Sequence, residues 1–336
     1  MSEFEKKSVN FIADKVRENM YSIGVDIGGM SIKIGIVDEN GNILFKNVVK
    51  TARDSETDID NISEGIKNLL EKARLTVSDV KGIGLGCPGA ISSESGVVDI
   101  LPNLGWVNVP LVGKFKARFD TEIRMSNDAN VAALAEALYG AAKGFKNCIM
   151  LTLGTGVGGG IIINGKLYEG KDGKGAELGH STLVMDGYPC SCGRKGCIES
   201  YVSATALIRE TREAMVTDKN SSMWNAVGGD LQNVDGRTAF EEEKKGDATA
   251  KKVVNFYVKC LSDSIMSMTN IFRPDVIILG GGISKQGDNL TSKVCSYCEK
   301  FDYGYKGSPR PVIKCAELGN DAGIIGAAAL VFSDKL

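Results

Sequence analysis

One structural module occurs twice in this chain of 336 residues, and it constrains the fold more than any other feature. Each copy has an apolar strand, a glycine-rich loop, a second strand, an Asn-Gly turn and a third strand. The first copy contains YSIGVD, SIKIGIV and NILFKNVV, with its turn at Asn40, and the second contains CIMLTLG, GIII and KLYEG, with its turn at Asn164. Asn-Gly between two alternating strands is a strong hairpin signal. Two such modules predict an internally duplicated α/β protein, although two independent β-meanders would give the same pattern.

Hydrophobic periodicity predicts further elements around the two modules. The predicted helices cover residues 59–70, 129–140, 202–215, 248–271 and 322–332, and a further helix opens at Pro110. The additional predicted strands are VKGIGLG, TEIRMS and VIILG. We expect the residues before Met20 and the polar stretch 218–235 to be the least ordered.

Charge and apolar patterning exclude several classes of partner. The chain has 40 Lys+Arg against 42 Asp+Glu, a net charge of −2, whereas a nucleic-acid-binding protein normally has a basic surplus. No apolar run approaches the ~18–20 residues that span a bilayer, and the first twenty residues lack the apolar stretch of a signal peptide. Nine cysteines, an odd number, suit a reducing compartment. We therefore expect a cytoplasmic protein without nucleic-acid or membrane partners.

The glycine loops are candidates for phosphate binding. Gly154, Gly156 and Gly159 match G-x-G-x-x-G after a strand, but the dinucleotide fingerprint requires a helix next, and a strand follows here. A glycine hairpin can still hold phosphate oxygens with its backbone amides, or it is only a tight turn. Two hairpins plus a Gly-Gly-Gly turn at 280–282 favour a nucleotide held between two lobes.

Three charged residues lie near these loops or at a strand end. Asp26 precedes Gly28-Gly29, where a carboxylate can reach Mg²⁺ on the phosphates. Lys33 is equally well explained as an exposed strand lysine. Asp128 joins a strand to an Ala-rich helix, so it is either a helix cap, a role open to Asn127 as well, or the base that deprotonates a hydroxyl during phosphoryl transfer. From the residues alone, capping is favoured for Asp128.

The strongest local signal is a cluster of metal-ligating residues. His180, Cys190, Cys192 and Cys197 offer one imidazole and three thiolates, a complete tetrahedral Zn²⁺ set. A closed set of this kind is structural, because it leaves no position for an activated water. Glu177 and Glu199 flank the cluster, and there they either accept hydrogen bonds from a polyol or are solvated surface residues.

Six motifs together resemble a known family. They are LPNLGW (101–106), DIGGMSIKIG (26–35), SNDANVAALAE (126–136), LGTGVGGG (153–160), ELGH (177–180) with CSCGRKGCIES (190–200), and LGGGIS (279–284). From about Tyr21 to Leu330 the chain resembles the ROK family (repressors, open reading frames, kinases) of the actin-like, Hsp70-like sugar kinases, and most of all its glucokinases from Gram-positive bacteria.

The resemblance implies a duplicated two-lobe α/β fold of the actin-like, ribonuclease H-like type, with a cleft between the lobes. Residues 1–20 would form an N-terminal extension, and 21–130 with 318–336 a small lobe. Residues 131–317 would form a large lobe that contains the zinc-binding segment 180–197.

The resemblance also implies ATP-dependent phosphorylation of glucose at its 6-hydroxyl, with Asp128 as general base. The hexose-binding residues would be Asn103, Asn127, Asp128, Glu177, His180 and Glu199. The residues holding ATP with its Mg²⁺ would be Asp26, Gly28, Gly29, Lys33, Gly154, Thr155, Gly156, Gly280, Gly281 and Gly282. Structural Zn²⁺ would be held by His180, Cys190, Cys192 and Cys197.

Several alternatives accompany this assignment. The hexose could be N-acetylmannosamine, fructose, mannose or allose, and polyphosphate could replace ATP. A non-catalytic sugar-sensing regulator is a further alternative, although the family's regulators carry a helix-turn-helix unit that needs more than the twenty residues before Tyr21. Met30 replaces the family's usual Thr, which removes a hydroxyl near the phosphates. We expect a homodimer or homotetramer.

Overall fold

The computed structural model describes residues 20–304 and 307–332, and these residues form two compact units. The first unit extends to Gly144 and also contains Gly165–Ala176 and the chain from Asn320. The second unit contains Phe145–Asn164 and Glu177–Gly319. Of the predicted N-terminal extension, all but Met20 lies outside the described residues.

The secondary structure alternates strands and helices along the chain. The strands are β1 (Tyr21–Ile27), β2 (Ser31–Asp38), β3 (Ile43–Lys50), β4 (Val80–Cys87), β5 (Ala90–Ser92), β6 (Val97–Leu101), β7 (Trp106–Val109), β8 (Glu122–Asn127), β9 (Cys148–Leu153), β10 (Val157–Ile163), β11 (Lys166–Leu167), β12 (Val276–Gly280) and β13 (Val312–Cys315). The α-helices are α1 (Ser55–Ala73), α2 (Leu111–Lys116), α3 (Asp128–Tyr139), α4 (Glu199–Val202), α5 (Ala204–Thr217), α6 (Met223–Ala226), α7 (Thr238–Lys244), α8 (Ala248–Phe272), α9 (Asp288–Phe301) and α10 (Ala322–Phe332). Among these residues, no helix is both long and apolar enough to cross a membrane.

The first unit is built on a sheet of order β3-β2-β1-β4-β8. β1, β2 and β3 form an antiparallel meander, while β4 and β8 run parallel to β1. Apolar side chains of α1, such as Ile59, Ile62 and Ile66, are fully buried in the core of this unit. A small antiparallel sheet, β5-β6-β7, belongs to the same unit.

Helix α10 lies directly against the first sheet because two strands have glycine at the contact. A Cβ built on Gly24 of β1 would lie 1.9 Å from the carbonyl oxygen of Ile324, and one built on Gly84 of β4 would lie 1.7 Å from that of Ala327. Such distances are far below van der Waals contact, so only glycine allows this approach. α3 packs against α10 in turn. The sheet thereby positions the helix that begins at Asp128.

The second unit repeats the strand arrangement of the first. Its sheet has β10, β9, β12 and β13 in adjacent positions, in the order that β2, β1, β4 and β8 occupy in the first unit. β10 is antiparallel to β9, and β12 is parallel to both β9 and β13. The predicted internal duplication of an α/β fold is therefore confirmed. The long helix α8 packs against α5, α7 and α9 beside this sheet.

One local prediction was correct only in part, and another was wrong. KLYEG forms only the two-residue strand β11. The polar stretch 218–235 is ordered and contains α6, because Met223 and Val234 are buried and the Asp247 carboxylate accepts a hydrogen bond from the backbone amide of Ser222 at 2.6 Å.

The compact units also differ from the predicted lobes. The boundary at residues 130 and 131 falls inside α3, and the whole helix stays in the first unit because it packs on α10. The segment Gly165–Ala176 joins the first unit as well, where the Ser126 hydroxyl donates to Glu169 at 2.5 Å. The lobe boundaries drawn from the sequence stay a prediction.

Candidate functional site

The first glycine hairpin connects β1 and β2 in the first unit. Its turn is closed by the Gly28 amide, which donates to the Ser31 carbonyl at 3.1 Å. The Thr51 hydroxyl, just beyond β3, donates to the Gly28 carbonyl at 2.8 Å. Among the described residues, the amides of Gly29 and Met30 have no hydrogen-bond partner. The turn therefore presents two N–H groups that are suited to an anion.

Asp26 and Lys33 face each other across this hairpin. The β1–β2 register pairs them, and the Lys33 Nζ lies 2.8 Å from the Asp26 Oδ2. Gly323 of α10 leaves room for the carboxylate, since a Cβ there would lie 2.5 Å from the Asp26 Cγ. Lys33 is thus half-buried and ion-paired, and its assignment to the phosphate site stays a prediction.

The second glycine hairpin connects β9 and β10 in the second unit. The Gly154 amide donates to the Gly156 carbonyl at 3.0 Å, and the Ala204 amide donates to the Gly154 carbonyl at 2.8 Å. The Thr205 hydroxyl donates to the Thr155 carbonyl at 2.8 Å. Among the described residues, the amides of Thr155 and Gly156 have no partner. This hairpin also presents two adjacent N–H groups.

The Gly-Gly-Gly turn follows β12 in the same unit. Gly281 has φ +81°, and a Cβ on it would lie 2.5 Å from the Leu153 carbonyl oxygen at the end of β9. The Ser284 hydroxyl donates to the Gly281 carbonyl at 2.8 Å and fixes the turn. The structure thus brings residues 280–282 beside the start of the second hairpin.

Asp128 is the first residue of α3, at the carboxyl end of β8. The helix cap is Asn127, whose side-chain oxygen accepts from the Ala129 amide at 2.9 Å. Asp128 accepts from the same amide at 2.9 Å and is exposed in the first helical turn. Burial raises the pKa of the Cys87 thiol, and the charge of Asp128 adds to that rise. Asn127 and Asp128 thus both accept from the Ala129 amide, with Asn127 at the cap position, and the role of Asp128 as a base stays a prediction.

Asn103 lies in a 3₁₀ turn, Pro102–Leu104, of the first unit. Leu104 and Trp106 beside it are almost fully buried, while Asn103 is exposed. Gly105 continues the turn with φ +69°. Buried neighbours thus anchor a loop that presents the Asn103 amide to solvent.

The four predicted metal ligands converge in the second unit. The ligand atoms of His180, Cys190, Cys192 and Cys197 all lie within 4.8 Å of one another. The Cys192 and Cys197 sulfurs are 3.7 Å apart, and tetrahedral zinc with bonds of about 2.3 Å separates two sulfurs by about 3.8 Å. Gly193, at φ +87°, makes the turn that returns the chain toward Cys197. The donor set and its spacing fit Zn²⁺.

Glu177 lies close to both His180 and Glu199. Partial burial raises the pKa of Glu177, the nearby His180 opposes that rise, and the negative charge of Glu199 adds to it. Glu199 accepts from the Val157 amide at 3.0 Å with one carboxylate oxygen and from the Ser191 hydroxyl at 3.0 Å with the other. The carboxylate therefore links the zinc-binding segment to the second glycine hairpin.

Three side chains at these sites were not predicted from the sequence. Thr51 and Thr205 each donate a hydroxyl to a glycine hairpin, and Ser191 donates to Glu199. Nothing in their spacing marks them, because Thr51 follows a strand and Thr205 starts a helix about fifty positions from its hairpin. The Asp26–Lys33 pair had a signal, since a turn centred on Gly29 and Met30 places them opposite each other.

Comparison with known proteins assigns the family. The ROK family profile matches residues 22–334. The chain belongs to the ROK family. Its fold is that of the family's actin-like sugar kinases, so the predicted fold class and the resemblance are both confirmed.

Relatives of the chain include enzymes and a regulator. It is 36% identical over 318 residues to a glucokinase of Thermotoga maritima, covering 92% of this chain and 96% of that enzyme. It is 31% identical to a xylose repressor of Caldicellulosiruptor bescii, covering 94% of this chain and 78% of the repressor. A ROK glucokinase from Streptomyces griseus, solved in complex with glucose and AMPPNP, superimposes with a TM-score of 0.78 at 33% identity, covering 92% of this chain and 98% of that one.

Proposed function

We propose that this protein is an ATP-dependent hexose kinase that phosphorylates glucose at its 6-hydroxyl. The observation that carries the proposal is the similarity, over nearly the whole of both chains, to a ROK glucokinase solved with glucose and an ATP analogue. The glucokinase relative from Thermotoga maritima supports the same activity. We retain the predictions of a cytoplasmic location and a homo-oligomer.

The general base is Asp128. Phosphoryl transfer to an alcohol needs a positioned carboxylate that accepts the hydroxyl proton while the oxygen attacks the γ-phosphorus and ADP leaves. Asp128 suits this role because Asn127 supplies the helix cap and leaves the aspartate exposed at a strand end. Asn127 can then orient the sugar from the neighbouring position.

The proposed hexose-binding residues are Asn103, Asn127, Glu177, His180 and Glu199, all of which have polar side chains. An imidazole that binds Zn²⁺ through one nitrogen can donate a hydrogen bond from the other, so metal binding would fix the orientation of His180 toward a sugar hydroxyl. A structural Zn²⁺ on His180, Cys190, Cys192 and Cys197 would hold the segment that carries Glu199.

Nucleotide binding uses the two hairpins and the Gly-Gly-Gly turn. The amides of Gly29 and Gly156, which have no partner in the described part of the chain, can each donate to a phosphate oxygen. Gly280, Gly281 and Gly282 would let the backbone approach the nucleoside closely. Asp26 would contribute to Mg²⁺ binding and Lys33 to charge neutralisation. Met30 is 86% exposed and offers no hydroxyl, so backbone amides supply the contact at that position.

The proposal is tested by measuring kcat/KM for glucose, mannose, fructose, allose and N-acetylmannosamine with ATP, and for glucose with polyphosphate. We expect the highest value for glucose with ATP. A higher kcat/KM for another hexose would make that hexose the assigned substrate. A higher kcat/KM with polyphosphate would make polyphosphate the assigned phosphoryl donor.

A sugar-sensing regulator is the second candidate, favoured by the similarity to the xylose repressor. It predicts saturable hexose binding in calorimetry without any release of ADP from ATP. The two functions are thus separated by the same preparation of protein.

A further inference from the structure

Three successive peptide groups of the second glycine hairpin are each held from outside it. The Ala204 amide engages the Gly154 carbonyl, the Thr205 hydroxyl engages the Thr155 carbonyl, and Glu199 engages the Val157 amide. The three groups that hold the hairpin from outside all come from the segment after the proposed zinc ligand Cys197. Glu199 also fills the space beside the turn, since a Cβ on Gly156 would lie 2.4 Å from its Oε2.

The peptide group is planar, and in the trans form its C=O and N–H point in opposite directions. The Thr155 carbonyl and the Gly156 amide belong to one such group. A hydrogen bond that pulls the Thr155 carbonyl toward Thr205 therefore directs the Gly156 N–H to the other side. By the same argument, the Ala204 bond to the Gly154 carbonyl directs the Thr155 N–H.

This orientation matters because glycine leaves the hairpin free to rearrange. Gly154 and Gly156 flank the turn, and glycine adopts conformations that other residues avoid, so a peptide group here can rotate at low cost. A rotated Thr155–Gly156 peptide would present a carbonyl oxygen where the amide had been. A carbonyl dipole repels an anionic oxygen, whereas an N–H attracts it.

We propose that Thr205 is a positioning residue for the phosphates of the nucleotide. Its hydroxyl fixes the Thr155–Gly156 peptide so that the Gly156 amide faces the anion-binding side of the hairpin. The inference rests on the proposed function, because it takes the nucleotide to be the ligand of this hairpin. Thr205 acts through the backbone, and it contacts no phosphate itself.

The test uses Thr205→Val, which keeps the shape of the side chain and removes the hydroxyl. Thr205→Ser keeps the hydroxyl and is the rescue variant. Thr217→Val is the matched control, because Thr217 is an exposed residue of the same helix whose hydroxyl also donates to a backbone carbonyl, that of Glu213, at 3.0 Å. The readouts are the Kd for ADP by calorimetry, KM for ATP and for glucose, and the melting temperature.

We expect Thr205→Val to raise the Kd for ADP and the KM for ATP by about fivefold to tenfold, the effect of losing one hydrogen bond. KM for glucose should change less than twofold, and both Thr205→Ser and Thr217→Val should match the wild type. If Thr205→Val does not fold, Thr205→Ala replaces it with the same expectation.

Three results would overturn the inference. They are an unchanged Kd for ADP, a Thr205→Ser variant as weak as Thr205→Val, or an equal rise in KM for glucose. A wild type that binds ADP but phosphorylates no hexose would instead contradict the proposed function, and the ADP measurements would still decide the role of Thr205.

Discussion

The two glycine hairpins both accept a threonine hydroxyl, but they differ in how the turn closes and in where that threonine comes from. The Gly28 amide donates to the Ser31 carbonyl, whereas the Gly154 amide donates to the Gly156 carbonyl. In each, a threonine hydroxyl donates at 2.8 Å to a carbonyl of the turn, Thr51 to Gly28 and Thr205 to Thr155. In each, the next amide along the chain, Gly29 or Gly156, has no partner among the described residues. Each hairpin thus has one peptide group whose carbonyl is held by a threonine hydroxyl.

The two threonines come from unrelated places. Thr51 is buried and directly follows β3, a strand of the same sheet as its hairpin. Thr205 is exposed and lies in the first turn of α5, shortly after the last candidate metal ligand, Cys197. The first hairpin is therefore held by a residue that directly follows its own sheet, and the second by a residue of the helix that follows the candidate metal-binding segment. If a metal occupies the candidate site, we expect its loss to affect the second hairpin more than the first.

In the proposed function both hairpins bind phosphate groups, and the base that accepts the hydroxyl proton lies outside them. We expect Asp128→Asn to lower kcat by about 100-fold or more while hexose binding and the fold persist, because it removes a general base. The exposed Asp120 provides the control variant Asp120→Asn. Initial-rate assays measure kcat, and calorimetry measures glucose binding. Turnover close to that of the wild type would leave Asp128 with a role at the helix terminus only.

Removal of zinc should affect the second hairpin and leave the first unchanged. We expect Cys192→Ser to lose about one Zn²⁺ per chain and to raise KM for glucose about tenfold or more, because Glu199 and His180 lose their fixed positions. KM for ATP should rise less. Elemental analysis and both KM values test this, with Cys295→Ser, a half-buried thiol on α9, as control.

Hydrogen exchange in Cys192→Ser tests directly whether each hairpin depends on the metal-binding segment. Amide exchange should accelerate at residues 154–157 and stay unchanged at residues 28–31. Equal acceleration in both hairpins would show that the first one also depends on the metal segment. Unchanged exchange in both would show that the second one does not.

A change at Thr51 tests the first hairpin alone. We expect Thr51→Val to raise KM for ATP by about threefold to tenfold through loss of one hydrogen bond to Gly28. Zinc content and KM for glucose should be unchanged, and Thr51→Ser should restore KM for ATP. If Thr51→Val changed zinc content, the two hairpins would not be held independently.

A residue remote from both hairpins in the chain should show the opposite behaviour, a loss of stability without a change in KM. Asp247 caps α8 by accepting from the Ala250 amide at 2.7 Å. Burial opposes its ionisation, but the hydrogen bonds from Ala250 and Ser222 outweigh burial and lower its pKa. We expect Asp247→Ala to lower the free energy of unfolding by about 1 kcal/mol at neutral pH, as measured by urea denaturation.

The sign of the pH dependence follows from that lowered pKa. A carboxylate whose pKa is lower in the folded state stabilises the protein above its unfolded value of about 3.9, and this contribution is lost as the pH falls through the folded value. The difference in the free energy of unfolding between wild type and Asp247→Ala should therefore become smaller as the pH is lowered. Asp263→Ala, which removes a surface ion pair with Lys259, should show a difference below about 0.5 kcal/mol.

Periodicity and turn residues were sufficient to predict most of the fold. Alternating strands around Gly-Gly and Asn-Gly gave both modules, and the spacing of His180 and the cysteines gave the metal cluster, because such signals are local in the chain. The contacts of Thr51 and Thr205 could not be predicted in this way, since each depends on where the fold brings a distant segment. The ordering of residues 218–235 was missed for the same reason, as it depends on Asp247.

The most direct test of the proposed activity is phosphorus-31 NMR of the wild-type protein with glucose, ATP and Mg²⁺. We predict that the γ-phosphate signal of ATP disappears while glucose 6-phosphate and ADP appear in equal amounts. Intact ATP in the presence of demonstrated glucose binding, or conversion of ATP to ADP and inorganic phosphate alone, would contradict the assignment.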